Sequence, residues 1–134
     1  ADIVVTCTPS KQAVLGVGDV RAGTFVAGVG ADHPEKHELE PQLLAAGRLV
    51  VDSLDQAATI GDLHQALAAG VLRREDVQGE LWEVVCGRKP GRTSDDEITV
   101  FDSTGIGLED VAAAALTYER AVAAGLGQRL GFGD

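Results

Sequence analysis

Four short apolar runs, separated by stretches of helical periodicity, constrain this chain more than any other feature. The runs fall at residues 3–7 (IVVTC), 24–29 (TFVAGV), 49–52 (LVVD) and 98–101 (ITVF). They are continuously apolar rather than alternating, the pattern of strands buried on both faces of a parallel sheet. Between them lie four helical stretches. Residues 38–47 carry Pro41 where a first helical turn tolerates it and Gly47 where a helix stops. Residues 55–69 place Ala58, Ile60, Leu63 and Leu67 at helical spacing, with a break expected near Gly61. Residues 75–86 place Val77, Leu81, Val84 and Val85 on one helical face. Residues 108–124 form the longest helix, ended by Gly125. Residues 15–23 and 87–94 read as loops, and the Gly-rich tail from 127 to 134 is expected to fray.

Strands alternating with helices predict an α/β fold: a Rossmann-like parallel sheet with flanking helices. Four strands amount to about half of a doubly wound dinucleotide-binding domain. With 134 residues, 45% hydrophobic and 24% charged, a single domain with a packed core is expected. Aromatic residues are only 4%, so that core must be aliphatic.

Composition also excludes function classes. A net charge of −10 argues against a nucleic-acid partner, which would need a basic face. The five cations between residues 73 and 92 are dispersed rather than striped. No apolar run reaches the ~18 residues of a membrane helix, and no signal peptide opens the chain, so a cytoplasmic protein without a membrane partner is expected. Cys7 and Cys86 sit in apolar stretches without metal-type spacing and read as buried thiols. His33 and His37 flank Lys36 without a ligand set around them, so no metal site is expected. The chain lacks Met and opens on Ala1-Asp2, which reads as a fragment of a longer protein.

The glycine fingerprint for a pyrophosphate fails three times. Gly28-Val29-Gly30 meets His33 where the third glycine belongs, Gly105-Ile106-Gly107 meets Asp110, and Gly125-Leu126-Gly127 follows no strand. A pyrophosphate loop would then lie upstream of Ala1. The strand ends are more informative, because ligands of open α/β sheets sit beyond them. Three ends carry small or hydroxylic residues: Thr6-Cys7-Thr8, the run from Gly28 to Asp32, and Asp102-Ser103-Thr104-Gly105. Asp32 is placed to exchange a proton with an amine or a water, although a turn carboxylate has the same position.

Two long motifs carry a resemblance. Residues 29–39 (VGADHPEKHEL) and 87–105 (GRKPGRTSDDEITVFDSTG) look like the two signatures of the ornithine cyclodeaminase/mu-crystallin family, and Glu109-Asp110 opens the last helix as in that family. The resemblance covers nearly the whole chain. It implies that Asp32 is the catalytic carboxylate beside nicotinamide and substrate amine. It implies contacts to the dinucleotide from Thr6, from the backbone of Val26, Ala27, Gly28 and Val29, and from Lys36 and Ser103, with NAD as cofactor and NADP as the alternative. Thr104 falls at a substrate contact where the family often has Val, and Glu35 where it often has Gly.

The implied activity is conversion of ornithine to proline and ammonia through an imine, with the hydride returned. An alanine- or opine-type dehydrogenase, a ketimine reductase or a non-catalytic crystallin-like binder are the alternatives. The implied partners are a small amino-acid or imine substrate and, for the full-length parent, a second copy in a homodimer. The family's glycine fingerprint, its substrate-holding Lys and Arg residues and its dimer-forming domain lie outside these residues, so the chain alone is expected to be inactive. A half-domain that completes its sheet by self-pairing is a further reading.

Overall fold

A computed structural model describes residues 1–131. The main sheet is five-stranded and wholly parallel, with β1 Ile3–Thr6, β3 Phe25–Gly28, β5 Arg48–Val51, β6 Gly79–Glu80 and β7 Thr99–Asp102 in the order β1-β3-β7-β5-β6. Beside it, β2 Lys11–Leu15 and β4 His37–Leu39 form a two-stranded parallel pair. The helices are α1 Pro41–Ala46, α2 Leu54–Ala57, α3 Gly61–Ala68, α4 Leu81–Val85 and α5 Gly107–Ala123. None of the described helices is long and apolar enough to cross a membrane.

The four strands expected from the apolar runs are all present. Each side chain of period two then chooses a face. Val26, Leu49, Val51 and Val100 point to the face covered by α1 and α3, where they meet Leu39, Leu43, Leu44, Ala57, Leu63 and Ala66 in one cluster. The other face is barely covered. Ile3 and Val5 of β1 are 65% and 61% exposed, and Phe25, Val50 and Phe101 line an open hollow of about 510 Å³ with Leu81 and Val84 of α4. Helix α5 buries none of its residues, although Leu108, Val111, Leu116 and Val122 are apolar. A sheet with continuously apolar strands is therefore half covered among the described residues.

Several expectations are corrected. Leu15, expected to open a loop, instead ends strand β2, in which Lys11 pairs with His37 and Leu15 with Leu39. The single helix expected over 75–86 divides into a 3-10 turn Arg74–Asp76, strand β6 and helix α4. The cause is the edge of β5, which takes Val50–Gly79 and Val51–Glu80 pairing and draws the backbone out of helical geometry. Cys7 and Cys86 are exposed rather than buried. Cys7 continues the Ile3–Val5 alternation on the uncovered face, and Cys86 is the residue that ends α4. Of the tail expected to fray, residues 132–134 lie outside the described residues.

The break expected near Gly61 is present and has a clear cause. Gly61 opens α3 with φ +86°, a conformation that disfavours a Cβ, and a Cβ there would sit 2.7 Å from Thr104 Cγ2 and 3.1 Å from both Asp102 carboxylate oxygens. This brings the first turn of α3 hard against the end of β7.

Candidate active site

Parallel register sets the carboxyl ends of three strands abreast. Thr6 pairs with Gly28 and Gly28 with Asp102. The ladder runs one step further, with Val29 N–H donating to Thr6 O (2.9 Å) and Ser103 N–H to Gly28 O (2.8 Å). Beyond that edge the chain from 29 to 36 turns outward. Gly30 and Ala31 are buried, while the Asp32 side chain is 59% exposed and its carboxylate is paired with Lys36 Nζ at 2.5 Å. The hydrogen bond from Lys36 holds the Asp32 carboxyl below the ordinary carboxylate range. Asp32 therefore presents a negative charge at neutral pH on an accessible ledge beside the strand ends.

Beneath the ledge lie four acids. Each caps backbone N–H groups from another segment. Glu38 is wholly buried. Its Oε1 accepts from Thr8 N–H (2.6 Å), and its Oε2 accepts from Gly30 N–H (2.7 Å) and Thr6 Oγ1 (2.9 Å). Asp62 Oδ1 accepts from the N–H groups of Glu38 (2.8 Å) and Leu39 (2.9 Å). Asp102 accepts from the N–H groups of Leu63 (2.8 Å) and Asp62 (3.3 Å), so it caps the first turn of α3 from a distant strand. Asp52 accepts from the N–H groups of Thr104 (2.6 Å) and Gly105 (2.7 Å) and from Thr104 Oγ1 (3.0 Å). The chain of acids fastens the ends of β1, β3, β5 and β7 to β4 and α3.

Their protonation differs by surroundings. Burial pushes the Glu38 carboxyl up, but the N–H groups of Thr8 and Gly30 and the threonine hydroxyls outweigh it, and it lies below its ordinary value. Asp62 goes the other way. Burial dominates over its two N–H donors, and its Oδ2 is sealed from solvent with no hydrogen-bond partner among the described residues. Asp102 is pushed up to about 8 by burial, then by the neighbouring Asp62.

The residues singled out from sequence occupy distinct places. Thr6, Gly28, Val29 and Ser103 come together on adjacent strand ends. Thr6 spends its hydroxyl proton on Glu38. Val26 and Ala27 lie within β3, with buried side chains and with β1 and β7 on either side. Lys36 is committed to Asp32. Thr104 is nearly buried, with its N–H and hydroxyl both held by Asp52. His37 sets Nε2 against Leu39 O at 2.6 Å. No group of three or more His, Cys, Asp or Glu able to hold a metal occurs among the described residues. The second sequence motif supplies Ser103 to the ledge at its end, while its first part builds a loop. Arg92 donates to Glu97 O (2.6 Å) and Thr99 Oγ1 (2.9 Å), and Arg48 Nε to Glu97 Oε1 (2.9 Å).

Sequence reasoning passes over Glu38, Asp52 and Asp62 as site-building residues and takes Asp102 only as part of a strand end. A signal exists for three of them: Asp52 and Asp102 directly follow apolar strands, and Asp62 directly follows the glycine that breaks the helix.

The model of the ornithine cyclodeaminase/mu-crystallin family matches residues 1–125. The chain belongs to that family. It is 43% identical over 131 residues to an alanine dehydrogenase of Archaeoglobus fulgidus, covering 98% of this chain and 41% of that one. Among solved structures it is similar to the iminosuccinate reductase of Paracoccus denitrificans in complex with NAD+, at 40% identity and TM-score 0.87, over 98% of this chain and 40% of the other. It is also similar to a lysine cyclodeaminase, at 30% identity and TM-score 0.77, over 99% and 38% respectively. The chain thus spans about two fifths of the length of these relatives. The fold is that of a Rossmann-like domain in part, as the four-strand pattern implies.

Proposed function

We propose that this chain is the site-bearing part of a longer NAD(P)-dependent enzyme that oxidises or reduces the amine-bearing carbon of a small amino acid. The observation that carries the reading is the Asp32–Lys36 pair on an open ledge beside the ends of β1, β3 and β7. The ledge suits the nicotinamide end of a dinucleotide. Thr6, the backbone at Val29 and Ser103 bring small polar groups to one edge, and Cβ atoms placed at Gly105 and Gly107 would meet open space. The pyrophosphate loop is assigned to residues outside this chain.

Bound there, the nicotinamide would supply or accept the hydride at the substrate's α-carbon. The chain's own residues then do electrostatic work. A carboxylate held ionised by Lys36 favours the protonated imine over the neutral one, and the protonated imine is the better hydride acceptor. In reduction the α-carbon gains a hydride and the C=N bond becomes an amine. In the reverse direction the amine loses its proton toward Asp32 or water before the hydride leaves.

Net dehydrogenase or imine-reductase activity is the first reading, supported by the likeness to the alanine dehydrogenase and the iminosuccinate reductase. The test is steady-state turnover by the full-length parent. NADH with ammonia and a panel of 2-oxo acids, and NADH with cyclic imino acids, should give stoichiometric NADH loss with at least one substrate. Ammonia released from ornithine or lysine without net change in NADH would instead establish the cyclodeaminase reading. The uncovered sheet face and the exposed α5 support a parent in which further chain or a second copy packs on both.

A further inference from the structure

We infer that Glu38 is the positioning residue of this site: its buried carboxylate clasps the ends of β1 and β3 and thereby sets where Asp32 stands. The inference rests on the reading of Asp32 as the catalytic carboxylate. Glu38 is fully enclosed, yet among the described residues it makes no ion pair. Both of its oxygens are used as acceptors, one for Thr8 N–H (2.6 Å) and the other for Gly30 N–H (2.7 Å) and the Thr6 hydroxyl (2.9 Å). The Asp32 N–H in turn donates to Gly30 O (3.1 Å), and Ala31 between them is buried. Two short links therefore connect the Glu38 carboxylate to the Asp32 backbone.

The fit leaves no slack. A Cβ on Gly30 would lie 2.3 Å from Thr8 O, 2.5 Å from Thr8 N and 2.6 Å from Glu38 Cδ, so the two strand ends touch with only the carboxylate between their N–H groups. Glu38 is itself fixed, because Asp62 Oδ1 accepts from its backbone N–H (2.8 Å) and from that of Leu39 (2.9 Å). The clasp is thus held from behind by α3.

Glutamine cannot reproduce it. Its amide has one accepting atom, whereas the site needs acceptors on both sides, so Glu38→Gln sets an NH2 group against an N–H. One strap is released while the volume is kept. The experiment uses the full-length parent with NADH and its best substrate, comparing Asp32→Asn, Glu38→Gln and the double variant. Glu38→Gln is expected to lower kcat by about 100-fold, the scale of a misplacement of about 1 Å. The Kd for NADH, read by fluorescence, is expected to stay within about threefold. The double variant is expected to be no slower than Asp32→Asn alone, since a residue acting through Asp32 has nothing left to position.

A double variant slower by the product of the two single effects overturns the inference while leaving the Asp32 reading intact. So does a Glu38→Gln enzyme with wild-type kcat. An Asp32→Asn enzyme with full kcat sinks the Asp32 reading, and the positioning role with it. If Glu38→Gln does not fold, amide hydrogen exchange on the wild-type parent decides. Protected Gly30 and Thr8 amides are expected, and exchange at the rate of open loop amides overturns the clasp.

Discussion

Asp32→Asn in the full-length parent is expected to lower kcat by about 100- to 10,000-fold, with the Kd for NADH changed by no more than about twofold. The substitution keeps the shape of the side chain and removes its charge. Lys36 is the one side-chain partner of the Asp32 carboxylate among the described residues, and the pair stands at the surface, so stability should change by less than about 1 kcal/mol. Loss of rate with unchanged stability and cofactor binding is the signature of an interaction made at the reacting atoms. An unchanged kcat, or a kcat that falls only in step with NADH affinity, would show that the charge on the ledge serves binding alone.

The second large effect concerns stability. Asp102, pushed up to about 8, and Asp62, also raised, bind a proton more tightly in the folded state than in the unfolded chain. The folded state therefore carries more protons than the unfolded state between the unfolded carboxylate value and about 8. In that window stability falls as pH rises, by up to about 1.4 kcal/mol per pH unit for one proton. Asp32, Glu38 and Glu97 are lowered and act oppositely, but their contribution is complete above the unfolded carboxylate range and is lost only in acid. Urea unfolding between pH about 5.5 and 7.5 isolates the buried pair and should show a drop of up to about 3 kcal/mol. Asp102→Asn should flatten that slope, whatever its effect on absolute stability. A wild-type profile that is flat or rising over the same window would contradict protons bound more tightly by Asp62 and Asp102 in the folded state.

The sheet was legible because its four main strands are buried apolar runs, and burial is what hydrophobicity reports. The strands that escaped notice lack that signal. Lys11 and Gln12 open β2, His37 and Glu38 open β4, and β6 is Gly79–Glu80 alone, placed by its β5 neighbour rather than by its own composition. The uncovered face was illegible for the same reason in reverse. Ile3, Val5 and Phe101 read as core residues, and nothing in their order says that the covering layer lies elsewhere.

Asp32 and Lys36 stand out in the sequence through a motif of fixed spacing, and the structure pairs them. Glu38 lies in that same motif, but an acid reads as solvated until the three donors around it are seen. Asp62 and Asp102 are forty residues apart in sequence and meet only because Gly61 turns α3 onto the end of β7.

The central claim is that this ledge directs a hydride to an amino-acid α-carbon. It is tested most directly by incubating the full-length parent with NADH deuterated at the transferable position, ammonia and the substrate panel, and locating the label by mass spectrometry. Deuterium is expected on the α-carbon of the amino-acid product, one per NADH consumed, with its transfer slowed by about 100- to 10,000-fold in Asp32→Asn. Saturable NADH binding with no label in any product, or label transfer that Asp32→Asn leaves untouched, would contradict it.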